Sequence, residues 1–408
     1  MSRRVVITGV GAISGLGNNV PELWQKVVNC ISGIAPVTCF DMSLLRFNNG
    51  SEVKDYDPLN YFTPKQLDVM DKFCQFAVIA AREAVADAKI EWTDELKANT
   101  CVITGAGIGG QNSQEDAFRN LYKDNNDRVP LFTIPRIMPN AGASQITMEF
   151  GTTGFAYTIS TACASSNHAI GNAFWMVRNG IADMAITGGS ETPFSHGFLK
   201  SWEALRVIAP DTCRPFSKDR QGMILGEGGA MLVLESLENA LERNATIYAE
   251  IVGFGMSSDA SHITKPDMQG PVKAIKMALK DAGIEPSAID YINAHGTGTL
   301  VNDSLEVAAI KTVFGDHTGK LAVSSTKSLH GHILGGTSAI EAVITALALK
   351  HQVIPPTANY TTPDPLCAVD VVANASRNGK IKYAMSNSFA FGGLNAVLVF
   401  KRSEAGLN

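Results

Sequence analysis

One cysteine among small residues, and two histidine segments further along, are the parts of this 408-residue sequence that could do chemistry. Residues 158–170 (TISTACASSNHAI) run from a strand-like Thr-Ile-Ser into small residues around Cys163, and a helical pattern continues through Met176. A Cys at a strand-to-helix turn has its sulfur near the positive end of a helix, which lowers the thiol pKa and raises the thiolate fraction. Small neighbours give a bulky thioester room and leave backbone N–H groups free to face an oxyanion. Taken alone, an inert buried Cys fits the same segment. Two further segments change that balance. Residues 292–302 (INAHGTGTLVN) place His295 at a strand end, and residues 324–332 (SSTKSLHGH) carry Lys327, His330 and His332. Residues 386–395 (SNSFAFGGLN) read as a glycine-rich turn after a strand. One Cys and two His at strand ends suggest acyl transfer on a thioester.

The elements that must position these groups are legible as apolar patterns. Short runs at 5–8, 101–104, 184–187, 291–294, 321–324 and 383–386 end in small or polar residues and predict strands. Their continuity, without alternation, reads as burial on both faces, as in parallel sheets. Residues 75–87, 272–282 and 338–350 carry apolar residues at helical spacing. Strand alternating with helix means α/β layering. A faint echo links RVVITGVGAIS at 4–14 with YAEIVGFGMSS at 248–258, and residues 157–163 with 321–327. Two similar halves account for it.

Composition narrows the function further. Hydrophobic residues make up 45% and charged residues 18%, which is not the profile of a disordered chain. A formal net charge of −5 argues against coating nucleic acid. Seven widely spaced Cys without a C-x-x-C pair argue against a disulfide framework or a zinc site and fit a reducing cytosol. Two arginines before residues 5–10 faintly mimic a signal peptide, but the apolar run is short and interrupted by Gly9. No run reaches the ~18 apolar residues of a membrane span. GAGIGG at 105–110 matches a dinucleotide fingerprint, yet no acidic residue ends a following strand. Close backbone approach is the better reading of those glycines. His168, His196, His262, His317 and His351 show no partner pattern.

In this order, TACASS, NAHGTGT, STKS-x-x-GH and NSFAFGG resemble the β-ketoacyl-acyl-carrier-protein synthases of the thiolase-like superfamily. GEGGAMLVLE at 226–235 and VIPPTANY at 353–360 are further matches, and the resemblance covers residues 4–401. The synthase II type is nearest; ketosynthases of type II polyketide, aryl-polyene and nodulation-factor pathways are also similar. The resemblance implies an α/β thiolase-like fold of five αβαβα layers in two similar halves, each a mixed sheet with helices. Residues 1–250 would carry the nucleophile and residues 251–408 the two histidines. It implies an acyltransferase that loads an acyl chain from an acyl carrier protein and condenses it with malonyl-acyl carrier protein, with loss of CO₂. No metal or redox cofactor is expected, because substrates arrive on the carrier's phosphopantetheine. A cytoplasmic location is expected, and a homodimer or a heterodimer with a homologous chain-length-factor-like subunit.

Carried over residue by residue, Cys163 would be the nucleophile, and the N–H groups of Cys163 and Phe391 the oxyanion hole. His295 and His332 would bind the malonyl thioester and stabilise its enolate. Lys327, paired with Glu341, would support them. Asp303 and Glu306 would anchor the loop, and Thr297 and Thr299 would meet the pantetheine arm. Ile108 would line the acyl tunnel, and Lys65 and Arg206 would dock the acidic carrier protein. Phe391 would be the gate of the acyl pocket. Several positions depart from synthase II: Ala390 for Gly, Leu394 for Thr, His330 two residues before His332, and Asp68 and Val69 where basic residues are usual. A Cβ at 390 restricts the gate loop. These departures point to a specialised polyketide, polyene or fatty-acid pathway rather than housekeeping elongation. A thiolase would carry a second Cys in the C-terminal turn, and a non-catalytic chain-length partner would lack the nucleophile.

Overall fold

The computed structural model describes residues 3–39, 41–124 and 126–404. The apolar runs form strands, most of them longer than the sequence pattern indicates. They are β1 (Val5–Ser14), β2 (Thr100–Gly105), β3 (Ala156–Ile159), β4 (Met184–Glu191), β5 (Gly228–Ser236), β6 (Ala249–Ser258), β7 (Tyr291–Asn293), β8 (Ala322–Ser324), β9 (Asp370–Val371), β10 (Tyr383–Phe389) and β11 (Leu394–Lys401). They join in one eleven-stranded sheet in the order β9-β8-β7-β10-β11-β6-β1-β5-β4-β2-β3.

From the middle outward the two halves repeat one pairing scheme. β1–β5 and β5–β4 are antiparallel, then β4–β2 and β2–β3 are parallel. β6–β11 and β11–β10 are antiparallel, then β10–β7 and β7–β8 are parallel. β1 and β6 pair through residues 5–7 and 249–251 and make the sheet continuous. A division of the chain at 250/251 cuts β6 after its second residue, and residues 1–2 and 405–408 of that division lie outside the described residues.

β1, β4 and β5 are buried along their whole length although their mutual pairings are antiparallel. Continuous hydrophobicity here reflects cover on both faces rather than parallel pairing. The helices α1 (Lys72–Ala88) and α2 (Ala141–Phe150) cover one outer face, and α3 (Ser165–Arg178) packs on the other face of the same strands. In the second half α4 (Gln269–Ala282) and α5 (Leu300–Phe314) lie outside, and α6 (Thr337–His351) packs beside α3 in the centre. Three apolar clusters thus separate five layers, helix, sheet, paired helices, sheet, helix. No helix among the described residues is long and apolar enough to cross a membrane.

The sequence echo has a packing cause. A Cβ at Gly11 would sit 2.0 Å from the carbonyl oxygen of Ala80, and one at Gly255 would sit 2.2 Å from that of Ala274. Each Gly-x-Gly lets an alanine stripe, Ala80-Ala84-Ala88 or Ala274-Ala278-Ala282, lie against its strand. The register shifts at the first glycine in both halves, beside Gly9 and beside Gly253. Past residues 7 and 251 the strands β1 and β6 no longer pair. Asp87 accepts the Val10 N–H at 3.0 Å, and Asp281 the Phe254 N–H at 3.0 Å.

Gly11→Ala should therefore lower unfolding stability by about 3 kcal/mol or more, the range of severe overpacking. Gly283→Ala has no neighbour within 4 Å and only a positive φ of 65° to oppose it, which costs about 1–2 kcal/mol. Denaturant unfolding of both variants tests the packing argument, and a Gly11→Ala protein as stable as wild type contradicts it.

Candidate active site

Cys163 sits where β3 passes into α3. The chain leaves β3 through a short 3-10 turn, Ala162–Ala164, and continues directly as helix. Ala162 adopts a φ of 49°, a left-handed conformation that costs a non-glycine residue about 1–2 kcal/mol. Ser165 Oγ braces the bend, donating to the Ala162 carbonyl at 2.7 Å and accepting from the Thr161 N–H at 2.9 Å. Ser388 Oγ donates to the Cys163 carbonyl at 2.9 Å. The backbone N–H groups of Phe391 and Cys163 face the sulfur. These contacts do not leave the thiol acidic, as its place at a helix start had predicted. Burial pushes its pKa up to about 11, and the Lys327 charge and the two N–H groups oppose that only in part. At neutral pH the resting group is a thiol.

The two imidazoles close over it. The ring centroids of His295 and His332 are 5.8 Å apart with their planes perpendicular. Nitrogen, nitrogen and sulfur atoms of His295, His332 and Cys163 all lie within 4.8 Å of one another. His332 Nδ1 accepts the Leu334 N–H at 2.9 Å, so a neutral ring carries its proton on Nε2. His295 Nδ1 has no hydrogen-bond partner. Burial, the Lys327 charge and the neighbouring ring hold His295 well below the usual histidine range. Burial and Lys327 do the same to His332. Both are neutral at pH 7. A Cys-His-His set also has the donor types that zinc takes. The ammonium close enough to discharge both imidazoles opposes a divalent cation in the same place.

That ammonium is held by one carboxylate. Lys327 Nζ lies 2.6 Å from Glu341 Oε1, and both side chains are completely buried. Neither faces the cavity described below. Glu306 accepts the N–H groups of His295 and Gly296 at 2.8 and 2.7 Å. Burial nonetheless raises its pKa to about 7. Asp303 accepts those of Phe216 and Gly298 at 2.9 and 3.1 Å. Both carboxylates hold the His295 loop by its backbone.

A cavity of about 330 Å³ leads to Cys163, His295 and His332. Thr297 and Thr299 line it, hydrogen-bonded to each other at 2.9 Å, and Phe391 closes one side, stacked on Trp202 with centroids 6.0 Å apart. Arg206 stands exposed at the mouth, but Lys65 lies on the separate short helix Pro64–Leu67 and does not line the cavity. Ile108 does not line it either; it is half-buried on the loop after β2. Sequence reasoning missed two groups at the mouth. Lys265 is exposed there, and His262, set aside as partnerless, accepts the N–H groups of Thr264 and Lys265 at 3.1 and 3.2 Å through Nδ1.

It also missed Glu191. This buried carboxylate at the end of β4 accepts N–H groups from Gly107 at 2.6 Å, Gly109 at 2.9 Å and Gly335 at 3.2 Å. The GAGIGG loop thus wraps an internal carboxylate rather than a phosphate. It also packs closely, since a Cβ at Gly105 would sit 2.4 Å from the Ser166 nitrogen. An acid closing an apolar strand run, with a glycine-rich loop to receive it, was the available signal.

Residues 2–240 match the family description "Beta-ketoacyl synthase, N-terminal domain", and residues 248–361 match "Beta-ketoacyl synthase, C-terminal domain". Nodulation protein E of Rhizobium sp. (strain N33) is 45% identical over 402 residues, covering 98% of this chain and 100% of that one. The 3-oxoacyl-[acyl-carrier-protein] synthase 2 of Staphylococcus aureus (strain N315) is 43% identical over 411 residues, 99% of each chain. The solved structure of the ishigamide ketosynthase/chain length factor superposes with a TM-score of 0.94 at 38% identity, over 99% of this chain and 100% of that one.

A thiol pKa of about 11 sets the pH dependence of alkylation, because only the thiolate attacks. The iodoacetamide reaction of Cys163 should speed up about tenfold per pH unit from pH 7 to 9, with no plateau. A rate already level at pH 8 would show a resting thiolate and contradict the burial argument.

Proposed function

Because the chain belongs to the β-ketoacyl synthase family and is an acyltransferase that condenses acyl- with malonyl-acyl carrier protein, we propose how its own residues divide that reaction. The observation that carries the proposal is the meeting of Cys163, His295 and His332 within 4.8 Å at the end of one cavity. Cys163 attacks the acyl-carrier thioester, and its proton passes through an imidazole to the departing pantetheine sulfur. The neutral state of both rings suits them to that transfer. The carrier thiol leaves and an acyl-Cys163 thioester forms.

Malonyl-carrier protein then enters the same cavity. Its C–C bond to the carboxylate breaks, CO₂ departs, and the electron pair passes into an enolate on the thioester. The fixed Nε2–H of His332 and an N–H of His295 stabilise that oxygen. The enolate carbon attacks the acyl-Cys163 carbonyl. The N–H groups of Cys163 and Phe391 hold the tetrahedral oxyanion, which collapses to the β-ketoacyl product and releases Cys163. Lys327 keeps both imidazoles unprotonated, and Glu341 keeps Lys327 in place. Thr297 and Thr299 meet the pantetheine arm. Asp303 and Glu306 anchor the His295 loop.

Arg206 receives the carrier protein at the mouth, joined by Lys265; Lys65 contributes at longer range. A homologous subunit, identical or chain-length-factor-like, covers the face around β3. Support for this lies in the position of β3 at the sheet edge and in Leu131, Ile134 and Met148, which are 86%, 63% and 64% exposed. Ile108 then lines the acyl tunnel beside that partner. Seven free cysteines support a reducing, cytoplasmic location. The pathway is a specialised one, on the strength of His330, Ala390 and the altered 65–69 segment.

Cys163→Ala should abolish both acyl loading and condensation, read by intact-protein mass spectrometry with acyl- and malonyl-carrier proteins. A Cys163→Ala enzyme that still condenses them would overturn the assignment. Specialisation predicts a preference for unsaturated chains. Saturated C6–C14 chains elongated without preference at ~1–10² s⁻¹, a typical rate for metabolic enzymes, would count against it.

A further inference from the structure

His330 is completely buried, does not line the cavity, and has had no part in the reaction so far. It ends the short helix Lys327–His330. Its Nδ1 lies 2.7 Å from the Gly331 carbonyl oxygen, and its Nε2 lies 3.0 Å from Thr326 Oγ1. A carbonyl oxygen only accepts, so Nδ1 carries a proton. Burial and the Lys327 charge push the ring's pKa down to about 3, so Nε2 is bare and accepts the Thr326 hydroxyl proton. The direction of both bonds is thereby fixed. Thr326 Oγ1 lies 3.4 Å from both Nδ2 and Oδ1 of Asn293, and with its own proton on His330 it accepts the Nδ2 N–H.

The ends of this chain matter. Gly331 immediately precedes His332, and Asn293 lies two residues before His295. Gly331 adopts a φ of 67° and ψ of −175°, a backbone state open to glycine. A glycine peptide has no side chain to hold its plane. The same peptide is held at its other end, where the His332 N–H donates to the Ile224 carbonyl at 2.7 Å, and the next peptide is held where the His332 carbonyl accepts the Gly226 N–H at 2.9 Å.

We propose that His330 is a positioning residue: from the carbonyl end, opposite the Ile224 bond to the N–H end, it fixes the plane of the Gly331–His332 peptide, and through Thr326 and Asn293 ties the aim of His332 to the strand that carries His295. The inference rests on the role proposed above for His332 and deepens it. Its consequence is selective. Acyl loading depends on Cys163, its own turn and one imidazole to carry the proton, that of His295, whose Nδ1 is unpaired, whereas decarboxylation depends on two imidazoles meeting one oxygen. Loss of His330 therefore separates the two half-reactions.

The test measures Cys163 acylation by intact mass and CO₂ release from malonyl-carrier protein, with the full-length enzyme. His330→Ala should keep loading within about twofold and lose about tenfold in decarboxylation, the scale of one buried hydrogen bond to a carbonyl. His330→Asn places an amide N–H near the Nδ1 position and should recover to within about threefold of wild type. His330→Gln reaches toward Thr326 and leaves the Gly331 carbonyl unpaired, so it should resemble Ala. Thr326→Val should show the same selective loss in milder form. Equal losses in both half-reactions, or Asn no better than Gln, overturn the proposal. The Asn–Gln comparison and Thr326→Val decide it even where His330→Ala does not fold. His332→Ala controls the underlying reading: if that variant decarboxylates normally, the role of His332 fails independently of His330.

Discussion

An ammonium cannot stay charged inside a protein without a counter-charge, and Lys327 is completely buried. Much of the site depends on how that demand is met. Glu341, equally buried, lies 2.6 Å away. Removing one partner of such a pair costs about 3–5 kcal/mol, because the other charge is left uncompensated. Glu341 belongs to α6, so the pair locks that helix against the end of β8 and the turn that carries His332. It also sets the electrostatics. The same positive charge lowers the proton affinity of His295, His330 and His332 and favours the Cys163 thiolate. One ion pair thus adds to burial in keeping three imidazoles neutral, and offsets part of the effect of burial on Cys163.

The two halves of the sheet share a device that presents a thiol in only one of them. In each, a non-glycine residue with positive φ, Ala162 at 49° and Leu334 at 47°, opens a 3-10 turn that runs straight into a central helix. In the first half the next residue is Cys163. In the second it is Gly335, whose N–H goes to Glu191 and whose carbonyl accepts Ser166 Oγ from α3. The second turn is therefore a brace for the first. Glu191 ties that brace to the loop of Ile108, so that loop and the turn after His332 share one buried carboxylate.

Much of this was legible in the sequence, and the gaps have physical reasons. Strand and helix runs declare themselves by apolar pattern, and small residues around Cys163 mark a tight turn. β5 and β11 were not singled out as strands, because glycines interrupt the approach to both. The Gly-x-Gly echo was visible, but its cause lies in alanine stripes some 20 to 80 residues away along the chain, beyond any local pattern. Lys65 and Arg206 carry the same charge in sequence, yet only Arg206 reaches the cavity mouth, because helix caps and loop paths decide that. The thiol pKa misled for a similar reason. A helix start is a local feature, whereas burial depends on the layers that close over it.

Ala390 shows how a departure from a family pattern acquires meaning only with its dihedral angles. It adopts a φ of −103° and ψ of 158°, an extended state that any residue takes without strain. The left-handed positions of the turn are Gly392 at 81° and Gly393 at 69°. The Cβ of Ala390 therefore costs nothing while Phe391 is stacked on Trp202. The turn is also held by hydrogen bonds, from the Gly392 N–H to the Ile263 carbonyl at 2.8 Å and from the Ala390 N–H to the Leu394 carbonyl at 3.1 Å. Because Ile263 lies on the loop that carries Lys265, the Phe391 turn is tied by its backbone to the rim of the cavity mouth.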